Sequence, residues 1–189
     1  MTSRAIGPDL NNDLAHVLID QQTIERRVKE MAHQVSTDFA GVDQLVVVGV
    51  LKGAFIFLAD LCRHLTIPHR VDFISLSSYN QDTVASGVVR LIMDLKTNIE
   101  SRSVLIVEDI VDSGYTLDYL MRNFATRRPA SLRSCVLLSK PERRQVDAQI
   151  DYLGFEIPDV WVVGYGLDYA DTYRTLPYIA ELSPSVYQK

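Results

Sequence analysis

Val104-Leu-Ile-Val-Glu-Asp-Ile-Val-Asp-Ser-Gly-Tyr-Thr116 carries the clearest structural message in the chain. Its first four residues are apolar and mostly β-branched, the composition of a strand buried on both faces of a parallel sheet. Glu108 and Asp109 are expected at the end of that strand. Asp112, Ser113, Gly114, Tyr115 and Thr116 then form a turn into a helix marked by Leu117, Leu120 and Phe124. Arg127 and Arg128 suit the negative end of this helix, and Pro129 stops it. Gly114 permits backbone geometry closed to other residues. Consecutive amides at the helix start, with the Ser113 and Thr116 hydroxyls, make a cradle for a phosphate. A plainer reading has Asp112 or Ser113 merely capping the helix and the acids solvated. Yet two carboxylates ahead of a phosphate cradle repel the phosphate unless they hold something else, such as sugar hydroxyls or a cation.

Outward from this unit the chain alternates strand and helix. Ile24, Val28, Met31, Val35 and Phe39 predict an amphipathic helix over 23–39, with Thr23 as N-cap and Gly41 as stop. Leu45 to Val50 reads as a buried strand, and Phe55, Leu58, Ala59, Cys62 and Leu65 as a second helix. Val71 to Leu76 and Val88 to Leu95 read as strands on either side of a polar loop, Ser77 to Gly87, long enough to suggest function. Ser134 to Ser139 is a further buried strand. Beyond residue 150 short strands, aromatics and turns suggest a lobe. The expected fold is therefore α/β, a mainly parallel sheet flanked by helices. One domain, 1–189, is expected, with a core over about 20–145 and a hood from about 146–189 plus the N-terminal segment. Ligands bind such sheets at the carboxyl ends of strands, here the loops after Val50, Val107 and Ser139.

Composition excludes several classes. Of 189 residues, 47% are apolar and 23% charged, ordinary for a globular protein. No apolar run approaches the roughly 20 residues of a membrane helix, and Met1 to Leu14 lacks a signal-peptide core, so a cytoplasmic protein without a membrane partner is expected. Cys62 and Cys135 sit in apolar settings, as small buried hydrophobes do. His16, His33, His64 and His69 are scattered, and no Cys/His cluster has zinc spacing. A net charge of −5 without a basic patch argues against nucleic acid. Such a chain can still bind a polyanion if local amides, a few basic side chains and a metal supply the positive field.

The Val104–Thr116 segment resembles the phosphoribosyl pyrophosphate motif of type I phosphoribosyltransferases. The resemblance implies that Glu108 and Asp109 hold the ribose hydroxyls, directly or through Mg2+, and that Asp112 to Thr116 hold the 5′-phosphate. Phe155-Glu-Ile-Pro-Asp159 and Trp161-Val-Val-Gly-Tyr-Gly-Leu-Asp-Tyr169 are similar to the C-terminal signature of the hypoxanthine-guanine phosphoribosyltransferases. Leu51-Lys-Gly-Ala54 resembles their pyrophosphate loop, Ser78-Tyr79 the start of their mobile loop, and Lys140 their base-reading lysine. The matches run in order from about residue 45 to 175.

What the resemblance implies is specific. Leu51, Lys52 and Gly53 would cradle pyrophosphate, often with a cis peptide between the first two, and Arg174 would contact it. Asp168 would bind a second Mg2+. Lys140 would donate to a purine 6-oxo group, where the amino group of adenine would oppose a donor with a donor. Trp161 would stack on the base, contributing on the order of 1–3 kcal/mol; without the resemblance it reads as a core aromatic, Lys140 as solvated and Arg174 as a surface residue. The main chain of Val162 would read the base edge. Asp112 would be the general base, and the Ser77–Gly87 loop, led by Ser78 and Tyr79, would close over the site. A homodimer or homotetramer is implied. Ala54 and Tyr115 depart from the pattern, which leaves the contact of Tyr115 with phosphate open. A phosphoribosyltransferase for xanthine or another base, or a nucleic-acid-binding regulator that retains the ligand motif, are the alternatives.

Overall fold

A computed structural model describes residues 10–78 and 89–188. In chain order the elements are α1 (Leu10–Asp13), β1 (Leu14–Ile19), α2 (Gln21–Asp38), β2 (Leu45–Leu51), α3 (Phe55–His64), β3 (His69–Ser78), β4 (Val89–Met93), β5 (Ser103–Val111), α4 (Tyr115–Ala125), β6 (Ser131–Ser139), β7 (Tyr152–Glu156), β8 (Val162–Val163), β9 (Ile179–Leu182) and α5 (Pro184–Tyr187). Six strands form one sheet in the order β4-β3-β2-β5-β6-β7, and β1, β9 and β8 form a separate three-stranded sheet. The large sheet is parallel except for β4, which runs antiparallel beside β3. The α/β fold expected from the alternating pattern is the one observed.

Two apolar layers explain the unbroken β-branched runs. Leu45, Val47, Leu105 and Val107 face one layer with Ile24, Val28 and Met31 of α2 and Phe57, Leu58 and Leu61 of α3. Val46, Val48, Val50, Val104 and Ile106 face the other, with Leu117, Leu120 and Phe124 of α4. Successive side chains of a strand point to opposite faces, so Leu45–Val48 of β2 and Val104–Val107 of β5 need apolar residues at each position.

Several boundaries differ from the sequence-based expectation. The N-cap of α2 is Asp20, not Thr23: its carboxylate accepts from the Thr23 N–H at 2.9 Å and from the Thr23 hydroxyl at 2.9 Å. Apolar periodicity begins at Ile24 and is silent about a polar first turn. Strand β5 continues past Glu108 and Asp109, because Ile110 and Val111 still pair with Leu138 and Ser139; the acids lie within the strand. Strand β7 pairs in parallel with β6, so the large sheet reaches past the expected hood boundary near 146. The smaller sheet joins β1 to the β8–β9 segment. No helix among the described residues is long and apolar enough to cross a membrane.

Candidate functional site

The turn after β5 is held from outside. Gly114 is the N-cap of α4, at φ 91° and without a side-chain cap bond, so neither Asp112 nor Ser113 caps that helix. The left-handed backbone there favours glycine. A side chain at Gly114 would also meet the Val146 carbonyl oxygen at 2.6 Å. The Ser113 carbonyl accepts from the N–H groups of Gln145 and Val146 at 3.0 and 3.1 Å. Inside the turn, a cavity of about 80 Å³ is lined by Glu108, Asp112, Ser113, Gly114 and Thr116. Tyr115 instead lines a separate groove with Asp118, Tyr119 and Arg122 on the outer side of α4.

The acid pair is electrostatically exposed to its own cost. Glu108 is 4% exposed, and its Oε2 has no hydrogen-bond partner among the described residues. Burial, and then the neighbouring Asp109, push its carboxyl well above the usual range. Burial also raises Asp109 to about 6, although backbone N–H bonds and the Arg174 charge pull the other way. An ionised carboxylate away from water is costly unless paired or bound to a cation. Neither acid has an ion-pair partner among the described residues.

A second loop and the hood close on Asp109. The Leu51–Lys52 peptide is cis. A Cβ on Gly53 would collide with the Asp109 carboxylate, and one on Gly166 (φ 104°) would collide with the Gly53 carbonyl. Backbone therefore touches backbone where the hood meets the core. Arg174 donates to the Gly166 carbonyl at 2.8 Å and pairs with Asp168 at 2.7 Å and Asp171 at 2.9 Å. Lys52 reaches Asp171 at 3.1 Å. Arg174 and Lys52 hold Asp171 below the usual carboxylate range. Leu51, Lys52, Gly53, Asp109, Asp168 and Arg174 are thus gathered into one place. Asp171, absent from the sequence-based set, completes it; its left-handed φ of 60° belongs to a turn that no pattern signals.

Around the loop after β6, Lys140 is 8% exposed, and its Nζ lies 3.6 Å from Asp159. Arg143, on the short 3-10 turn Pro141–Arg143, bonds Asp112 at 2.7 Å and reaches Asp159 at 3.5 Å. A chain of alternating charge, Asp112–Arg143–Asp159–Lys140, links the phosphate turn to the residue two positions before Trp161. Trp161 is not a core aromatic: it is 47% exposed. Its ring meets Tyr169 edge-on and stacks on Tyr187. Val162 is buried and pairs with Glu181 of β9, which fixes its main chain. Sequence reasoning missed Arg143 and Tyr187, since each acts through a partner distant in the chain. Ser78 ends β3; Tyr79 lies outside the described residues.

Among the described residues no group of three or more His, Cys, Asp or Glu side chains is placed to hold a metal ion unaided. Mg2+ characteristically uses one or two carboxylates and completes its shell with water and substrate phosphates. Glu108, buried, and Asp109, part-buried, both without an ion-pair partner among the described residues, fit that donor set.

The comparisons with known proteins agree with this geometry. The phosphoribosyl transferase domain family matches residues 17–170. The hypoxanthine-guanine phosphoribosyltransferase of Bacillus subtilis is 46% identical over 179 residues, which cover 95% of this chain and 99% of that protein. Its counterpart in Dictyostelium discoideum is 46% identical over 176 residues, covering 92% and 98%. A crystal structure of a Staphylococcus aureus hypoxanthine phosphoribosyltransferase superposes with a TM-score of 0.91 at 41% identity, covering 97% of this chain and all of that one. The chain belongs to the phosphoribosyl transferase domain family.

Proposed function

We propose that this protein transfers the 5-phosphoribosyl group of phosphoribosyl pyrophosphate to N9 of hypoxanthine or guanine, releasing pyrophosphate and giving IMP or GMP, a purine-salvage reaction. The observation that carries this reading is the acid pair, without a basic partner among the described residues, set directly ahead of a small cavity at a helix start. That arrangement suits a sugar phosphate accompanied by a divalent ion. The naming of the similar proteins supplies the base.

In this reading the Ser113 and Thr116 hydroxyls and the amides of the turn from Asp112 hold the 5′-phosphate, while Glu108 and Asp109 hold the ribose hydroxyls. Glu108 and Asp109 would hold one Mg2+ and Asp168 a second, and these ions would neutralise charge on the departing pyrophosphate. Arg174 and Lys52 bring positive charge to the same group, with the backbone of Leu51 and Gly53 close by. Lys140 donates to the 6-oxo group, the Val162 main chain reads the base edge, and Trp161 offers a flat ring for stacking. As the bond from the sugar C1 to pyrophosphate breaks, N9 bonds to C1, and Asp112 takes the proton from N7. Arg143 already holds the Asp112 carboxylate through one oxygen and leaves the other for the base.

The protein is further read as a cytoplasmic homodimer or homotetramer with no nucleic-acid or membrane partner. Exposed apolar side chains on β3 and β4, among them Val71, Phe73 and Met93, support self-association. Light scattering tests it; a monomer at micromolar concentration sinks it. For the reaction itself, phosphoribosyl pyrophosphate and Mg2+ are supplied with hypoxanthine, guanine, xanthine, adenine or uracil in turn. Nucleotide formed from hypoxanthine or guanine is expected, and a preference for adenine or uracil would overturn the assignment.

A further inference from the structure

The sole tryptophan of the chain is held by two tyrosines from different segments. Tyr187 closes the four-residue helix α5 near the C-terminal end of the described chain. Its ring centroid lies 5.5 Å from that of Trp161 with the planes 28° apart, an offset stack. Tyr169 meets the same indole edge-on, also at 5.5 Å, with the planes at 87°. The backbone makes this possible. The Leu182 N–H donates to the Trp161 carbonyl at 2.8 Å, locking β9 beside Trp161. The chain then turns at Ser183–Pro184 and returns Tyr187 over the indole; within the turn the Val186 N–H bonds the Ser183 carbonyl at 2.9 Å.

With one face under Tyr187 and one edge against Tyr169, Trp161 still keeps 47% of its surface exposed. That exposed surface is available to a flat partner such as a purine. Tyr187 itself is part-buried, and its ring stacks on the indole. We propose that Tyr187 is a positioning residue for the base: it backs Trp161 so that a bound purine becomes the third ring of a Tyr187–Trp161–purine stack. The inference rests on the reading of Trp161 as the base platform. It extends that reading to α5, which contributes no atom to the reacting centre. An indole fixed from behind loses less rotamer freedom when the base arrives, so the effect falls on base binding and spares chemistry.

The experiment uses the full chain with Tyr187→Phe, Tyr187→Leu and Trp161→Ala. Steady-state constants are measured for both substrates, and tryptophan emission, which reports Trp161 alone, is followed with and without base. Tyr187→Leu is expected to raise the purine KM roughly two- to tenfold, with kcat and the KM for phosphoribosyl pyrophosphate within about twofold. Its ligand-free emission should shift to the red as the indole gains water. Tyr187→Phe, which keeps the ring, should restore both readouts. A Tyr187→Leu purine KM that is unchanged overturns the proposal. A lowered purine KM overturns it too, since Tyr187 would then occupy the place of the base. So do equal losses in both substrate constants, the mark of a merely structural helix. If Trp161→Ala also leaves the purine KM unchanged, the stacking platform itself is wrong; if it raises that KM while Tyr187→Leu does not, only the backing role fails.

Discussion

Glu108 and Asp109 sit in strand β5 without a cation, whereas Asp168 and Asp171, in the hood loop facing them, share Arg174 and Lys52. Asp109 and the hood pair close on the same small region beside Gly53, while Glu108 lines the cavity of the turn. The hood acids are neutralised by their own neighbours, and their loop can hold its shape before any ligand arrives. The strand acids are not, and their carboxyls rise toward neutrality because ionised forms there are poorly solvated. One side of the cleft is thus satisfied in the free protein and the other is left wanting positive charge. Binding energy from a cation and its substrate can be realised on the second side without first breaking a salt bridge there.

Four measurements test that contrast. The largest effect is expected at Asp112, which stands between the two extremes with a single partner, Arg143. Asp112→Asn should lower kcat by about 10²–10⁴ while weakening sugar-phosphate binding far less; parallel losses would remove its role as base.

Asp109→Asn should separate stability from activity. Activity should drop by roughly 10- to 100-fold, the scale of losing hydrogen bonds made by a charged group. The ligand-free variant at pH 7 should nonetheless be more stable than the parent. A carboxyl raised from 3.8 to about 6 by folding stabilises the fold fully below the lower value and loses that contribution as pH rises through the upper one. The cost at pH 7 is about 3 kcal/mol at most. Denaturant titrations between pH 4 and pH 7 should therefore show the gap between variant and parent opening as pH rises; a gap of constant size would break the contrast.

Arg174→Ala should act in the opposite direction. It leaves Asp168 without a charged partner and the Gly166 carbonyl without its donor, costing about 1.5–3 kcal/mol and lowering Tm by roughly 4–10 °C. Stabilisation by this change would mean that the hood acids are as unsatisfied as the strand acids. Lys52→Ala gives the smallest response. Its pair with Asp171 is 67% and 64% exposed, so thermal unfolding should shift by no more than about 1 kcal/mol. Any larger loss of stability would show the loop depending on that contact.

The β5–α4 unit was legible because its information is local. A β-branched run, two acids, a Ser-Gly turn and an amphipathic helix lie within one short stretch, and each obeys its own rule of burial or backbone freedom. The hood was legible from its pattern only as a lobe, and the roles of its residues only through resemblance. Strand β1 has exposed side chains along most of its length and finds its partner, β9, at the far end of the chain, so no alternation marks it. Strand β7 reads as one of several short aromatic stretches, and only its pairing with β6 assigns it to the large sheet. The Arg143–Asp112 and Lys140–Asp159 contacts join segments that fold beside each other; charge spacing along the chain carries no trace of them. The half-open state of Trp161 was likewise hidden, because an aromatic before two valines reads as core.

The contact between Gly53 and Gly166 sets a dimension as well as a shape. Neither residue carries a side chain: one on Gly166 would strike the Gly53 carbonyl, and one on Gly53 would strike the Asp109 carboxylate. The aperture between hood and sheet is consequently gauged by the missing methyl group of Gly166. A single added carbon on Gly166 would act as a shim, prying the upper jaw from the lower and changing which ligands are gripped while leaving every acidic and basic group of the site in the sequence.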